Sequence, residues 1–127
     1  MGYCALIFFF SSQQDLTVPE VFPATDKIAH LLEYAGLGWL WARAVRAEWP
    51  GWTNPAVVLV TLLFAGVYGA SDEWHQLYVP GRFADLSDIL ADVGGGTGGG
   101  IGYLLWLRSG EHSERGGRKP TAGEFPR

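Results

Sequence analysis

The chain has 127 residues, of which 48% are hydrophobic and 14% aromatic, and its formal net charge is −4 at pH 7. This length allows one domain, and the negative charge, without a basic patch interleaved with aromatic residues, argues against nucleic-acid binding. Cys4 is the single cysteine, which excludes a disulfide within the chain and a zinc site built on cysteine pairs.

The first apolar stretch, residues 1–10, is too short to cross a bilayer by itself. A helix of this length extends about 15 Å, whereas the hydrocarbon core is about 30 Å thick. We expect that the true start lies upstream and that this stretch is the end of a truncated first span.

Three longer apolar segments follow, at residues 28–45, 55–70 and 89–107. A spanning helix needs about 20 largely apolar residues, and these segments reach that length when their interfacial ends are included. A soluble bundle needs a polar stripe on each helix, yet residues 55–70 carry no charge. The predicted fold is an all-α, polytopic transmembrane helical bundle of about four spans, the first one truncated.

The C-terminal segment, residues 109–127, is polar and rich in glycine, with few large apolar residues. Such a composition buries too little apolar surface to offset the entropy of ordering. We therefore predict a transmembrane domain over residues 1–108 and a disordered tail over residues 109–127.

The distribution of basic residues predicts the orientation in the membrane. Seven of the nine lie in the turn after the first long segment or beyond the last one. Basic residues favour the cytoplasmic side, so this turn and the C-terminus are expected there. Lys27 and Arg82 are then extracytoplasmic, together with most of the acidic residues.

Polar residues recur near the outward ends of the long segments. The candidate ligand-binding residues are Asp26, Lys27, His30, Glu33, Tyr34, Asp72, Glu73, Gln76, Arg82, Asp85, Asp88 and Asp92. Glu33 and Asp92 each lie about 10 Å, or two helical turns, below the start of their helix. Ionisable groups at such depth face the interior of a bundle or a wet cavity. We therefore predict one outward-facing polar pocket shared by several helices.

The charge of this pocket needs compensation. Seven acidic residues surround Lys27 and Arg82, and like charges in a low-dielectric pocket repel one another. Either some carboxyls stay protonated, or a cation or a ligand amine is bound. Asp26 and Asp85 have an alternative structural role as helix N-caps.

Three chemical alternatives follow from the same residues. Asp72, Glu73 and His75 are candidate catalytic residues of an acid/base hydrolase or transferase. Glu33 and Asp92 are candidates for a proton-coupled transporter. His30, Glu33 and His75 with a carboxylate resemble a metal-ligand set, but no HExxH-type motif is present, so no metal is predicted, and no cofactor is assigned.

A glycine-rich run spans residues 94–102. It contains the small-residue pairs Gly94/Gly98, Gly95/Gly99 and Gly98/Gly102, which favour close helix packing. The run lacks the Lys-Ser/Thr of a phosphate-binding loop. Packing within the bundle, or between two copies of the chain as a homo-oligomer, is the expected role.

Three motifs together resemble the VanZ-like membrane proteins, a family named for a protein associated with teicoplanin resistance. They are DKIAHLLEYAGLG, DEWHQLYVPGR and DILADVGGGTGG, within a resemblance that covers about residues 11–107. The resemblance implies that the motif residues form the site: Asp26, Lys27, His30, Tyr34, Asp72, Glu73, Gln76, Arg82 and Asp88. The family usually has Asn where this chain has Asp92.

The resemblance also indicates the functional expectation. We expect an integral protein of a bacterial cytoplasmic membrane that binds an envelope component, such as a lipid-linked precursor, and affects glycopeptide susceptibility of the teicoplanin type. Lys27 and Arg82 are expected to hold an anionic headgroup, and the carboxylates an amine, a cation or hydroxyl groups. The expected partners are therefore the lipid bilayer and an envelope precursor.

Overall fold

The computed structural model describes the backbone of residues 2–13, 25–81 and 84–117. Side chains are described over residues 2–13, 27–81 and 84–111. Within these ranges all regular secondary structure is α-helical and no strand is present, which confirms the all-α prediction.

Four helices follow one another along the chain. They are α1 (Gly2–Ser11), α2 (Thr25–Glu48), α3 (Asn54–Gln76) and α4 (Leu86–Gly117). The long helices α2, α3 and α4 contain the three predicted apolar segments. α4 continues to Gly117, beyond the expected boundary at residue 108, and residues 118–127 of the predicted tail lie outside the described residues.

The turn between α2 and α3 has a clear local cause. Thr53 is the N-cap of α3, and its hydroxyl accepts a hydrogen bond from the backbone N–H of Ala56 at 3.4 Å. Pro55 follows in the first turn of the helix, where its missing N–H costs nothing. Arg46 donates hydrogen bonds to Trp52 O and to Asn54 Oδ1, which ties the end of α2 to this turn.

Glycines bring the backbones of α2 and α4 into direct contact. A Cβ added to Gly38 of α2 would lie 1.8 Å from the carbonyl oxygen of Gly96 on α4. A Cβ added to Gly99 of α4 would lie 1.9 Å from the carbonyl oxygen of Ala35 on α2. Only residues without a side chain allow this separation, so α2 and α4 form the closest-packed pair of helices.

The glycine-rich run uses one of its faces for this contact. Gly95 and Gly99 lie against α2, with Gly95 next to the carbonyl group of Leu31. A Cβ added to Gly94 or to Gly98 would have no neighbouring atom within 4 Å among the described residues. Close packing is therefore confirmed for the Gly95/Gly99 pair, whereas the Gly94/Gly98 pair faces open space.

Apolar side chains fill the remaining space in two clusters. One cluster consists of Ala42, Val45, Val57, Tyr103 and Leu104. The other consists of Ile7, Tyr34, Leu37 and Ala65. The second cluster includes a residue of α1, so this short helix packs against the core formed by α2 and α3.

Two tyrosines hold α1 in place. The hydroxyl of Tyr3 donates a hydrogen bond to the backbone carbonyl of Glu33 at 3.0 Å. The hydroxyl of Tyr68 donates to the carbonyl of Cys4 at 2.6 Å. Both bonds connect the N-terminal turn of α1 to a long helix, at positions about two turns inside α2 and α3.

Among the described helices, α3 alone is both long enough and apolar enough to cross a membrane. Little of its most apolar stretch is buried inside the bundle. α1 is apolar but has only ten residues. The described structure therefore contains one candidate membrane span.

Candidate functional site

Polar residues from four helices meet at one end of the bundle. This end contains the C-terminus of α1, the N-terminus of α2, the C-terminus of α3 and the N-terminus of α4. The residues of this polar cluster are Ser11, Lys27, His30, Asp72, Glu73, Gln76, Asp85, Asp88 and Asp92. Eight of them are predicted site residues, and Ser11 is new.

The deepest contact of the polar cluster joins α2 to α4. His30 Nδ1 lies 3.0 Å from Asp92 Oδ1, and the Asp92 side chain is 0% exposed. A Cβ on Gly69 of α3 would lie 2.7 Å from Asp92 Oδ2. Gly69 thus provides the space that the Asp92 carboxylate occupies between α3 and α4.

Asp72 connects α3 to the end of α1 through Gln76. Gln76 Nε2 donates hydrogen bonds to Asp72 Oδ2 at 3.3 Å and to Ser11 Oγ at 3.2 Å. Gln76 follows Asp72 by four residues, so the two side chains lie on one face of α3. All three residues are buried, which makes this a bridge inside the bundle.

Glu73 connects α3 to the start of α4. Its Oε2 accepts a hydrogen bond from the backbone N–H of Asp85 at 2.8 Å. Glu73 is only 3% exposed, so its ionisable side chain is buried. This contact brings the loop before α4 against the C-terminal turn of α3.

Lys27 lies at the outer edge of the polar cluster. Its Nζ is 2.8 Å from Asp88 Oδ1 and 3.1 Å from Asp85 Oδ2. Asp85 also caps α4, because its Oδ1 accepts the backbone N–H of Ser87 at 2.9 Å. Hydrogen bonds from Ser87, and then from Lys27, lower the pKa of the Asp85 carboxyl to about 2. Asp85 therefore remains an anion near neutral pH.

Several buried oxygens of the polar cluster have no hydrogen-bond partner among the described residues. They are Asp72 Oδ1, Glu73 Oε1 and Asp92 Oδ2; the hydroxyl oxygen of Tyr34, in the neighbouring apolar cluster, also has none. A buried polar atom without a partner costs about 1–3 kcal/mol. Buried polar atoms of folded proteins are usually hydrogen-bonded, so three carboxylates with one oxygen each left over need an explanation.

Three of these side chains could hold a metal ion. One nitrogen of His30 and one carboxylate oxygen each of Asp72 and Glu73 all lie within 4.8 Å of one another. This set differs from the metal-ligand set considered from the sequence. It includes neither Glu33 nor His75, and it combines residues of α2 and α3.

Glu33 and His75 have other surroundings. Glu33 is half-buried, and its backbone carbonyl accepts the Tyr3 hydroxyl. His75 Nε2 lies 3.0 Å from Ser12 Oγ, and its ring is 4.3 Å from that of Phe8. His75 therefore contacts the end of α1, and His30 is the histidine that lies with Asp72 and Glu73.

The contribution of α1 was missed by sequence reasoning. Ser11 and Ser12 end an apolar stretch and carry no pattern that marks a site. Their hydrogen bonds to Gln76 and His75 place them at the polar end of the bundle. A pair of serines directly after a run of apolar residues was the one available signal.

Two predicted site residues have no described side chain. Arg82 lies outside the described residues, and only the backbone of Asp26 is described, in the first turn of α2. The predicted roles of both residues stay predictions.

The fold and the polar cluster together define a class: a small all-α bundle with ionisable residues buried between the ends of its helices. Comparison with known families agrees with this description. The model of the VanZ/LLP1 family matches residues 2–109, so the chain belongs to the VanZ/LLP1 family. No significant match was found among curated proteins or solved structures. Family membership and the candidate span of α3 indicate a membrane protein.

Proposed function

We propose that this chain is a multi-pass membrane protein whose polar cluster binds the headgroup of an envelope lipid or of a lipid-linked envelope precursor. Through this binding it affects susceptibility to glycopeptides of the teicoplanin type. The observation that carries the proposal is the set of unpartnered, buried carboxylate oxygens on Asp72, Glu73 and Asp92. Polar atoms of a ligand satisfy these oxygens better than an apolar environment does.

The exposed surface of the helices supports a location in the bilayer. On α3, large apolar side chains point away from the bundle; Val67 is 72% exposed, and Leu59 and Leu63 are more than half exposed. α4 presents Leu90, Leu105 and other apolar side chains in the same way. Exposed apolar surface of this extent marks contact with lipid or with another protein.

The positions of charges support an extracytoplasmic polar cluster. The opposite end of the bundle carries Arg43 and Arg46, near the turn between α2 and α3. Basic residues flanking a span favour the cytoplasmic side. We therefore infer that the turn faces the cytoplasm and that the ligand reaches the polar cluster from the outer leaflet.

The charges within the cluster limit the chemistry of the ligand. Asp72 and Glu73 accept hydrogen bonds, which suits hydroxyl groups, an amine or a cation. Lys27, partly exposed at the edge, suits a phosphate or a carboxylate of the same ligand. A lipid headgroup that carries a phosphate and hydroxyl or amino groups meets both requirements.

The binding step is tested by lipid analysis of the purified protein. The wild type and the variants Asp72→Asn and Glu73→Gln are purified in a mild detergent, and the copurifying lipids are measured by mass spectrometry. We expect one envelope lipid class to be enriched with the wild type and depleted with both variants. Glu48→Gln is the matched control, because Glu48 lies about 27 Å along α2 from His30.

The cellular role is tested in a strain that lacks its own copy of the gene. Wild type and Glu48→Gln are expected to shift teicoplanin susceptibility equally, and Asp72→Asn is expected to shift it less. Equal lipid profiles and equal susceptibility for wild type and Asp72→Asn would contradict the proposal.

A second function, an acid/base hydrolase or transferase, is favoured by one contact. His30 and Asp92 form a histidine–carboxylate pair next to Glu73, an arrangement able to move a proton. Its base is then His30, whereas His75 was expected from the sequence. Turnover of the copurified lipid by the wild type, lost in His30→Ala and kept in His75→Ala, would select this function.

A further inference from the structure

We propose that His30, Asp72 and Glu73 bind a divalent transition-metal ion, with Zn²⁺ as the ion that these ligands fit. The inference rests on the proposal that the polar cluster is a binding site, and it names what neutralises the buried carboxylates. It follows from the geometry of the ligand atoms, from their remaining hydrogen bonds and from the charge of the cluster.

The three side chains lie close enough together to share one ion. One atom from each of the three side chains lies within 4.8 Å of the others. Zinc–nitrogen and zinc–oxygen bonds are about 2.0–2.2 Å long, so ligand atoms of one ion are about 3–4 Å apart. Binding would require the ligand atoms to move closer together by on the order of 1 Å, the difference between these separations.

Each of the two carboxylates keeps one oxygen for the ion. Asp72 Oδ2 accepts from Gln76, and Glu73 Oε2 accepts from the backbone of Asp85. The other oxygen of each, Asp72 Oδ1 and Glu73 Oε1, is buried and has no hydrogen-bond partner among the described residues. In protein metal sites, outer hydrogen bonds of this kind orient the ligating carboxylates.

His30 has one ring nitrogen available for the ion. His30 Nδ1 faces Asp92 Oδ1 at 3.0 Å, so Nε2 is the nitrogen that remains for a metal. A carboxylate on the far ring nitrogen is the usual support of a metal-binding histidine, because it fixes the tautomer and the ring orientation. Asp92 thus acts as a positioning residue, and its complete burial keeps water from competing for the imidazole.

The buried carboxylates of Asp72 and Glu73 favour the binding of a cation. Asp72 and Glu73 are each at most 4% exposed, and the groups that donate to them, Gln76 and a backbone N–H, are neutral. Burying two neighbouring carboxylates is costly unless a cation compensates them. An imidazole nitrogen with two carboxylates favours zinc over calcium or magnesium, which prefer oxygen ligands.

Three protein ligands leave the fourth position of a tetrahedral zinc ion open. Water or an oxygen of a lipid headgroup is able to occupy that position. The ion would therefore give the polar cluster a Lewis acid for an oxygen of an anionic group, whereas the charge of Lys27 at its edge is already paired with Asp85 and Asp88.

Metal binding is tested on the full chain, purified with an affinity tag that contains no histidine. The protein is freed of metal with a chelator and dialysed against ZnCl₂, and bound zinc is measured by elemental mass spectrometry. We expect about one zinc ion per chain, the number of sites that one three-ligand cluster provides. His30→Ala and Glu73→Gln should each lower the affinity at least about tenfold, and Asp92→Asn should lower it about 10–100-fold.

The controls use the same residue types outside the ligand set. His75→Ala matches His30→Ala, and Glu48→Gln matches Glu73→Gln; both controls should bind zinc as the wild type does. Equal zinc binding by the wild type and the double variant His30→Ala/Glu73→Gln would overturn the inference.

A measurement on the wild type alone avoids variants that fail to fold. X-ray absorption of the zinc-loaded protein should detect nitrogen and oxygen ligands in the first shell. A sulfur ligand, such as the thiolate of Cys4, the single cysteine of the chain, would overturn the inference.

The two proposals fail in different ways. Lipid enrichment by the metal-free protein, with no zinc uptake, would contradict the metal site and leave the proposed function intact. Zinc uptake that depends on His30 and Glu73, without lipid enrichment, would support the metal site and contradict the proposed lipid binding.

Discussion

The imidazole of His30 and the carboxylate of Asp92 form a pair that joins α2 to α4 inside the bundle, with 3.0 Å between Nδ1 and Oδ1. The other oxygen of Asp92 lies against Gly69 of α3. This one carboxylate therefore contacts both neighbouring long helices. The stability that the acid and its histidine partner provide can be tested by substitution of Asp92.

The first prediction concerns the stability that this pair provides. Asp92→Ala should lower the free energy of unfolding by about 1–3 kcal/mol, because it leaves the partly buried His30 without its partner. Asp92→Asn should lower it less, since the amide oxygen still accepts a hydrogen bond from Nδ1–H. Denaturant unfolding in detergent measures both, and an Asp92→Ala variant as stable as the wild type would contradict the pairing.

The second prediction uses two neighbouring glycines of α4 as a matched pair. Gly99→Ala should destabilise the protein by about 1–3 kcal/mol, because the new methyl group overlaps the backbone of Ala35. Gly98→Ala should stabilise it by up to about 1 kcal/mol, because alanine favours the helix and open space surrounds the site. Thermal unfolding of the two variants decides the matter; the same sign for both would show that the packed face is misassigned.

The third prediction uses Cys4 as a reporter of the position of α1. Tyr68→Phe removes the hydrogen bond to the carbonyl of Cys4, which is worth about 0.5–1.5 kcal/mol. We expect the cysteine to react up to about tenfold faster with a soluble alkylating reagent, as this free energy allows. Tyr78→Phe is the control, because Tyr78 is 73% exposed. Equal alkylation rates for Tyr68→Phe and Tyr78→Phe would contradict the anchoring of α1.

The fourth prediction concerns the bridge between α1 and α3. Gln76→Leu keeps the volume of the side chain but leaves Asp72 Oδ2 and Ser11 Oγ without their donor. The variant should lose about 1–3 kcal/mol of stability. Ser11→Ala, which removes a single acceptor, should lose less. Unfolding of the two variants under one set of conditions gives the comparison, and the reverse order would show that Gln76 is not the central residue of the bridge.

The helices could largely be predicted from the sequence, because long apolar segments separated by polar turns have few alternatives. The close contact of α2 and α4 was also predictable in kind, since a run of glycines favours it. The sequence could not predict which glycines of α4 face α2. Several small-residue pairs in the run are equivalent by spacing, among them Gly94, Gly95, Gly98 and Gly99. The rotation of α4 about its axis depends on all of its neighbours at once.

The site was predictable as a set of residues but not as a set of pairs. Spacing along one helix identifies residues on a common face, as for Lys27 and His30. It does not identify the partner on another helix. Glu33 and Asp92 were expected at the same depth in one pocket, but Asp92 pairs with His30. The set of His30, Asp72 and Glu73 combines two helices, so no linear motif announces it.

The backbone contact between α2 and α4 has a consequence for the geometry of the polar cluster. Where Gly38 touches Gly96 and Gly99 touches Ala35, neither helix can roll or slide without a steric collision. These two helices therefore act as a fixed frame that carries His30 and Asp92. A change in the distance between His30 and Asp92 would require the two backbones to separate, so the glycine contacts fix the geometry of this pair as firmly as its own hydrogen bond does.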